Sequence, residues 1–187
     1  MTEPVASRLS DQPWTIDDLA ELPDGNRYEI LDGSLIMSPA PDSPHGRVTT
    51  LLARLLDRAA PTHLVISAAG FGVAVQDGRG YCVPDIVALV ETALDRRVQA
   101  LNPADVPLAV EVVSPTSSSR DHVSKRHEYA AAGIRHYWIV DPDKRTLTVL
   151  TLNNRGVYDE EVTVVAAGER FETDDPFAIS LDPADFC

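Results

Sequence analysis

Pro84-Asp85-Ile86-Val87-Ala88-Leu89-Val90 and Pro107-Leu108-Ala109-Val110-Glu111-Val112-Val113 are two apolar runs of strand length, and each carries one carboxylate. Asp85 opens the first; Glu111 sits inside the second. The second run is nearly continuous in apolar character, which predicts a strand covered on both faces. A carboxylate in such a strand needs a partner, because burying an unpaired charge costs several kcal/mol or forces a large pKa shift. Lys125 follows on the next predicted helix. Two acids and a lysine brought together make a divalent-metal site with a cationic helper, which is equipment for cutting a phosphodiester bond.

Outward from these runs the chain alternates strand and helix patterns. Thr15-Ile16-Asp17-Asp18 has helix-capping spacing and predicts a short helix to about Leu22. Arg27 to Leu31 and Ser34 to Ser38, joined by Asp32-Gly33, predict a hairpin. Val48, Leu51, Leu52, Leu55 and Leu56 follow helical spacing between Ser43 and about Ala60. Strands are expected at Leu64 to Ser67, Phe71 to Val75 and Tyr81 to Val90, with a polar, partly helical stretch from Glu91 to Pro103. Ser117-Ser118-Ser119 caps a predicted helix ending at Gly133. Arg135 to Val140, Thr146 to Leu152 and Val157 to Val165 read as strands, and the tail adds one strand and a short helix. The expected fold is α/β (α+β): a mixed central sheet flanked by helices, with extra C-terminal β-hairpin strands. Residues 14–187 are expected to form one domain behind a loose leader, 1–13.

Composition narrows the function classes. The chain has 187 residues, 44% of them hydrophobic and 24% charged, ordinary for a soluble globular protein. No apolar run approaches the ~20 residues needed to span a bilayer. The first eleven residues lack a basic start and an apolar core, so they do not read as a signal peptide. Two cysteines, Cys82 and Cys187, are too few for a disulfide framework, and a reducing cytoplasm is expected. Cys82 reads as packed rather than reactive.

Twenty-nine acids against sixteen Lys and Arg give a net charge of −13, which disfavours tight non-specific binding to nucleic acid. A bound metal ion adds local positive charge, and Arg120, Lys125, Arg126 and Arg135 form a basic group near the candidate site in sequence. The chain has no phosphate-binding loop, no nucleotide-binding glycine fingerprint, no zinc spacing and no Gly-x-Ser-x-Gly elbow.

Several pieces occur in a fixed order: Tyr28-Glu29-Ile30-Leu31-Asp32-Gly33, His45 on a helix, Pro84-Asp85-Ile86-Val87 and Glu111-Val112-Val113-Ser114-Pro115. Asp121, Lys125, Tyr129, Gly133-Ile134 and Tyr137-Trp138-Ile139-Val140-Asp141-Pro142 follow. From about Trp14 to the C-terminus the chain resembles the Uma-type, restriction-endonuclease-like family of bacterial proteins, within the PD-(D/E)XK nuclease superfamily. The resemblance implies a metal-dependent endonuclease acting on nucleic acid, DNA rather than RNA, as a homodimer and without a membrane. It implies Mg²⁺ or Mn²⁺ as cofactor, held by Asp85, Glu111, the carbonyl of Val112 and an added N-terminal acid, Glu29. The superfamily's lysine two positions after the second acid is here Val113, and the resemblance moves its role to Lys125.

Each residue also has a plainer reading. Asp85 after a proline can cap a turn. Glu111 can form a buried ion pair, with Lys125 itself as the candidate partner. Asp121 and Lys125, at i and i+4, can form an exposed helix salt bridge, on a face shared with Glu128 and Tyr129. Glu29 can pair with a basic residue across the hairpin. His45 reads as structural or solvated more readily than as catalytic. Tyr129 reads as core, with a polar tip able to reach the site. The second functional reading is a catalytically weak or inactive dimeric binding module, supported by the acidic surface and by Val113.

Overall fold

The computed structural model describes residues 12–38, 42–96, 98–113, 120–159 and 163–187, with the backbone alone at 120–122. The first hairpin forms as its sequence predicts. Strands β1 (Arg27–Leu31) and β2 (Ser34–Ser38) pair antiparallel, with Leu31 opposite Ser34. Asp32 and Gly33 both take positive φ, 50° and 72°, as a tight two-residue turn requires. Helix α1 (Ser43–Ala59) is capped by Asp42, whose side chain accepts from the His45 amide, and buries Val48, Leu52 and Leu56. Strand β3 (Leu64–Ser67) follows, then β4 (Val73–Val75).

Where the sequence predicts one strand from Tyr81 to Val90, the chain makes two: β5 (Gly80–Cys82) and β6 (Ile86–Val90). Proline cannot donate to a ladder, and Val83-Pro84-Asp85 carries the chain from one sheet into another. Strand β7 (Leu108–Val112) is buried throughout, as its apolar run predicts. The predicted helix ending at Gly133 is described from Arg120 onward; there it runs as a π-helical turn, Arg120–Lys125, and then as α2 (Arg126–Ala131). Strands β8 (His136–Asp141), β9 (Thr146–Thr151) and β10 (Thr163–Ala166) come next. The tail adds two strands rather than one, β11 (Phe171–Thr173) and β12 (Ile179–Leu181), with a short 3₁₀ turn at Pro183–Asp185.

Two main sheets result. A four-stranded sheet runs β2-β1-β5-β4, and a six-stranded sheet runs β10-β9-β8-β7-β6-β3. The larger sheet is mixed: β7 and β8 are parallel, and its other described pairs are antiparallel.

The period of two along the central strands divides the core. Ile86, Ala88, Leu108, Val110, Val112, Trp138 and Val140 face α1 and the C-terminal strands, where Trp138 meets Phe171 edge-on at 5.7 Å. Val87, Leu89, Ala109, Tyr137 and Ile139 face α2 and the small sheet. Glu111 falls by this parity on the second side, between the two sheets.

Candidate active site

Four elements deliver charged side chains to that side. Strand β1 brings Arg27 and Glu29, two positions apart and so on one face. The β5–β6 crossover brings Asp85, β7 brings Glu111, and the helix brings Lys125, Glu128 and Tyr129. Glu29, Asp85, Glu111, Lys125 and Glu128 are all buried, between 1% and 7% exposed. Burial of five ionisable groups in one place requires mutual pairing.

Lys125 Nζ donates to Glu111 Oε1 and lies as close to Glu29 Oε1, 2.7 Å in each case. The Tyr129 hydroxyl donates to the same Glu111 oxygen at 2.9 Å. Burial, reinforced by the Glu111 charge, pushes the Tyr129 phenol well above its ordinary value, so it remains a donor. Glu29 Oε1 also accepts the Val83 amide at 2.8 Å. Asp85 Oδ2 accepts the Val112 amide at 2.8 Å and lies 3.1 Å from His45 Nε2.

The second oxygens of Asp85 and Glu111 face one cation. Arg27 Nη1 donates to Asp85 Oδ1 at 2.6 Å, and Arg27 Nη2 lies 3.9 Å from Glu111 Oε2 and donates to the Val83 carbonyl. Burial alone would raise the Asp85 carboxyl, but the His45 hydrogen bond and the Arg27 charge outweigh it and hold it well below its ordinary 3.8. Burial also opposes the charge on Arg27, and Asp85 and Glu111 more than offset this, raising its pKa further. The bond to Asp85 raises His45 above 6.5.

The structure thus assembles Asp85, Glu111, Lys125, Glu29, His45 and Tyr129 in one place. Val112 contributes its amide to Asp85. The side chain of Asp121 lies outside the described residues, as do Ser114 and Ser117 to Ser119.

Two of the plainer readings and one expectation need correction. The charged helix face is not solvated: Lys125 and Glu128 are buried, and it is Val123, 68% exposed, that meets solvent. Among the described side chains the basic group does not gather as one patch, because Lys125 points inward and Arg135 pairs with Asp175 at 2.9 Å; the side chain of Arg120 lies outside the described residues. Glu29 does have a basic partner, but Lys125 supplies it; the residue across the hairpin is Ile36. The residue the sequence reading passed over is Arg27. Its signal was the Arg27-x-Glu29 spacing, which places a base and an acid on one strand face.

A divalent cation suits this donor set by charge. Among the described side chains, four buried carboxylates (Glu29, Asp85, Glu111, Glu128) stand against Arg27, Lys125 and, when protonated, His45, a formal surplus of one to two negative charges. Glu128 Oε2 is buried without a hydrogen-bond partner, and its other oxygen accepts from Gln76 at 2.7 Å. No cage of three or more His, Cys, Asp or Glu side chains occurs among the described residues, so backbone oxygen or water would have to complete the ligands. No described helix is long and apolar enough to cross a membrane.

The fold is similar to that of a solved structure from Anabaena variabilis ATCC 29413 described as "a putative nuclease belonging to DUF820". The TM-score is 0.73 at 19% identity, over 93% of this chain and 97% of that one. No curated protein matches the chain. The model of the Uma2 family, described as "Putative restriction endonuclease", matches residues 16–184, and the chain belongs to this family.

Proposed function

We propose that this protein is a divalent-metal-dependent nuclease that hydrolyses phosphodiester bonds in DNA. The observation that carries the reading is the convergence of Asp85 Oδ1 and Glu111 Oε2 on one cation within a buried cluster of surplus negative charge. Asp85 and Glu111 would hold Mg²⁺ or Mn²⁺, hard ions that take oxygen ligands, with the Val112 carbonyl as a further donor. When bound, such an ion supplies positive charge against the phosphate and acidifies water.

The chain's own residues do the positioning. The Val112 amide and His45 fix one oxygen of Asp85 and leave the other aimed across at Arg27. Tyr129 fixes Glu111 in the same way. Lys125, held between Glu111 and Glu29, carries a proton and a charge that can meet the oxyanion developing in a phosphoryl transition state. A homodimer acting in the cytoplasm belongs to the same reading, and light scattering at micromolar concentration tests the dimer.

The test is cleavage of supercoiled plasmid with Mn²⁺ or Mg²⁺, run beside Asp85→Ala. Nicking by the parent that is lost in the variant is the expected result. Nicking that survives the substitution counts against this site, and absence of nicking in both counts against DNA hydrolysis. A second reading, an inactive binding module of the same fold, is favoured by one observation: both acids already have protein cations as partners.

A further inference from the structure

We infer that Arg27 is a resident counter-cation that competes with a divalent ion for Asp85 and Glu111, and so sets the metal affinity of the site. The inference rests on the metal-dependent reading above.

The geometry assigns Arg27 the place of the ion. Each acid has one oxygen engaged by anchoring donors: Asp85 Oδ2 by the Val112 amide and His45, Glu111 Oε1 by Lys125 and Tyr129. The other oxygen of each faces the same guanidinium, at 2.6 Å and 3.9 Å. A guanidinium there neutralises the pair but has no acceptor to offer and cannot share the position with a doubly charged ion. Binding of the ion therefore requires Arg27 to leave.

Two features make leaving feasible. Arg27 Nε is buried without a hydrogen-bond partner, so the inward pose does not satisfy the whole fork. Arg27 also lines a pocket of about 440 Å³ with Leu19, Leu22, Tyr28 and Tyr81. That pocket offers the displaced guanidinium space beside two aromatic side chains.

The experiment is Mn²⁺ titration by calorimetry on the full chain: parent, Arg27→Gln and Arg27→Lys, each checked for folding by thermal melting. Arg27→Gln is expected to bind Mn²⁺ about tenfold more tightly or better, within the usual span of coupling between sites. It should also gain more in Tm from Mn²⁺ than the parent does. Arg27→Lys keeps the charge but loses the planar fork, so it should fall between the two, and it serves alone if Arg27→Gln does not fold. In the parent, Mg²⁺ should shift the Arg27 Nε–H resonance in ¹⁵N NMR. Equal or weaker Mn²⁺ binding by the variants, or an Arg27 signal that stays put at saturating Mg²⁺, overturns the inference and leaves the metal reading standing. No Mn²⁺ binding by any of the three proteins overturns both.

Discussion

Lys125 reaches Glu111 at 2.7 Å from a helix that follows the strand, on the same side of the sheet as the carboxylate. The long lysine stem thereby places an ammonium against the second acid although position 113 is valine. The ammonium is shared with Glu29, so one cation ties the first hairpin to the central sheet.

Removing that ammonium should be costly. In metal-free Lys125→Ala, Glu29 and Glu111 stay buried without the cation between them, and unfolding free energy should fall by ~3–5 kcal/mol. Urea denaturation measures it. A loss below ~1 kcal/mol would show that the pair is solvated or otherwise compensated.

Glu111→Gln should behave differently. The amide keeps an acceptor for Tyr129, and Glu29 remains as an acid for Lys125. The surplus negative charge drops by one, so stability should change by no more than ~1–2 kcal/mol. Mn²⁺ affinity should fall by about tenfold or more, since the variant removes a charged oxygen ligand. Unchanged Mn²⁺ binding in calorimetry would remove Glu111 from the ligand set.

His45 gives the site a pH signature. Its folded pKa is raised above 6.5 by the bond to Asp85, so the folded state holds the proton more tightly than the unfolded chain. The resulting stabilisation is fully present below 6.5 and is lost as pH rises through the raised value. The stability difference between metal-free parent and His45→Asn should shrink over that interval, with the His45 ring titrating above 6.5 by NMR. A ring that titrates below 6.5, or a difference that grows with pH, would contradict the His45–Asp85 bond.

Stability and site chemistry should separate on the opposite side of the sheet. Leu52 of α1 is fully buried in the core cluster that faces away from Glu111. Leu52→Ala should cost ~2–5 kcal/mol through lost contacts and the cavity left behind. Mn²⁺ affinity measured well below the lowered Tm should stay within about twofold of the parent, because distant independent sites add. A large loss of Mn²⁺ binding in this variant would mean that the packing of α1 against the sheet, and not only its His45 at the N-terminal end, positions the acids.

The sequence shows most clearly what is local. The Asp32-Gly33 turn sets the hairpin register from Arg27 opposite Ser38 to Leu31 opposite Ser34, because only a few residue pairs accept that backbone. Asp42 and the apolar spacing of Val48, Leu52 and Leu56 define α1 in the same way. Glu111 stands out because its neighbours are apolar and it is not. What depends on distant partners is illegible. The run from Tyr81 to Val90 looks like one strand, and only the pairing of β5 with β1 and of β6 with β7 reveals that it serves two sheets. Lys125 and Glu128 look like a solvated stripe, since helical spacing does not say which side a neighbouring sheet covers. Arg27 was hidden for the same reason: its partners Asp85 and Glu111 lie 58 and 84 positions away along the chain.

The Val83 amide, in the crossover between the sheets, donates to the Glu29 carboxylate rather than to a neighbouring strand, and the Val83 carbonyl accepts from Arg27. Exchange of this amide with deuterated solvent is therefore governed by Glu29, a side chain of the first hairpin. A single backbone amide becomes a native timer of how long the hairpin stays seated against the crossover, readable with neither substrate nor metal present.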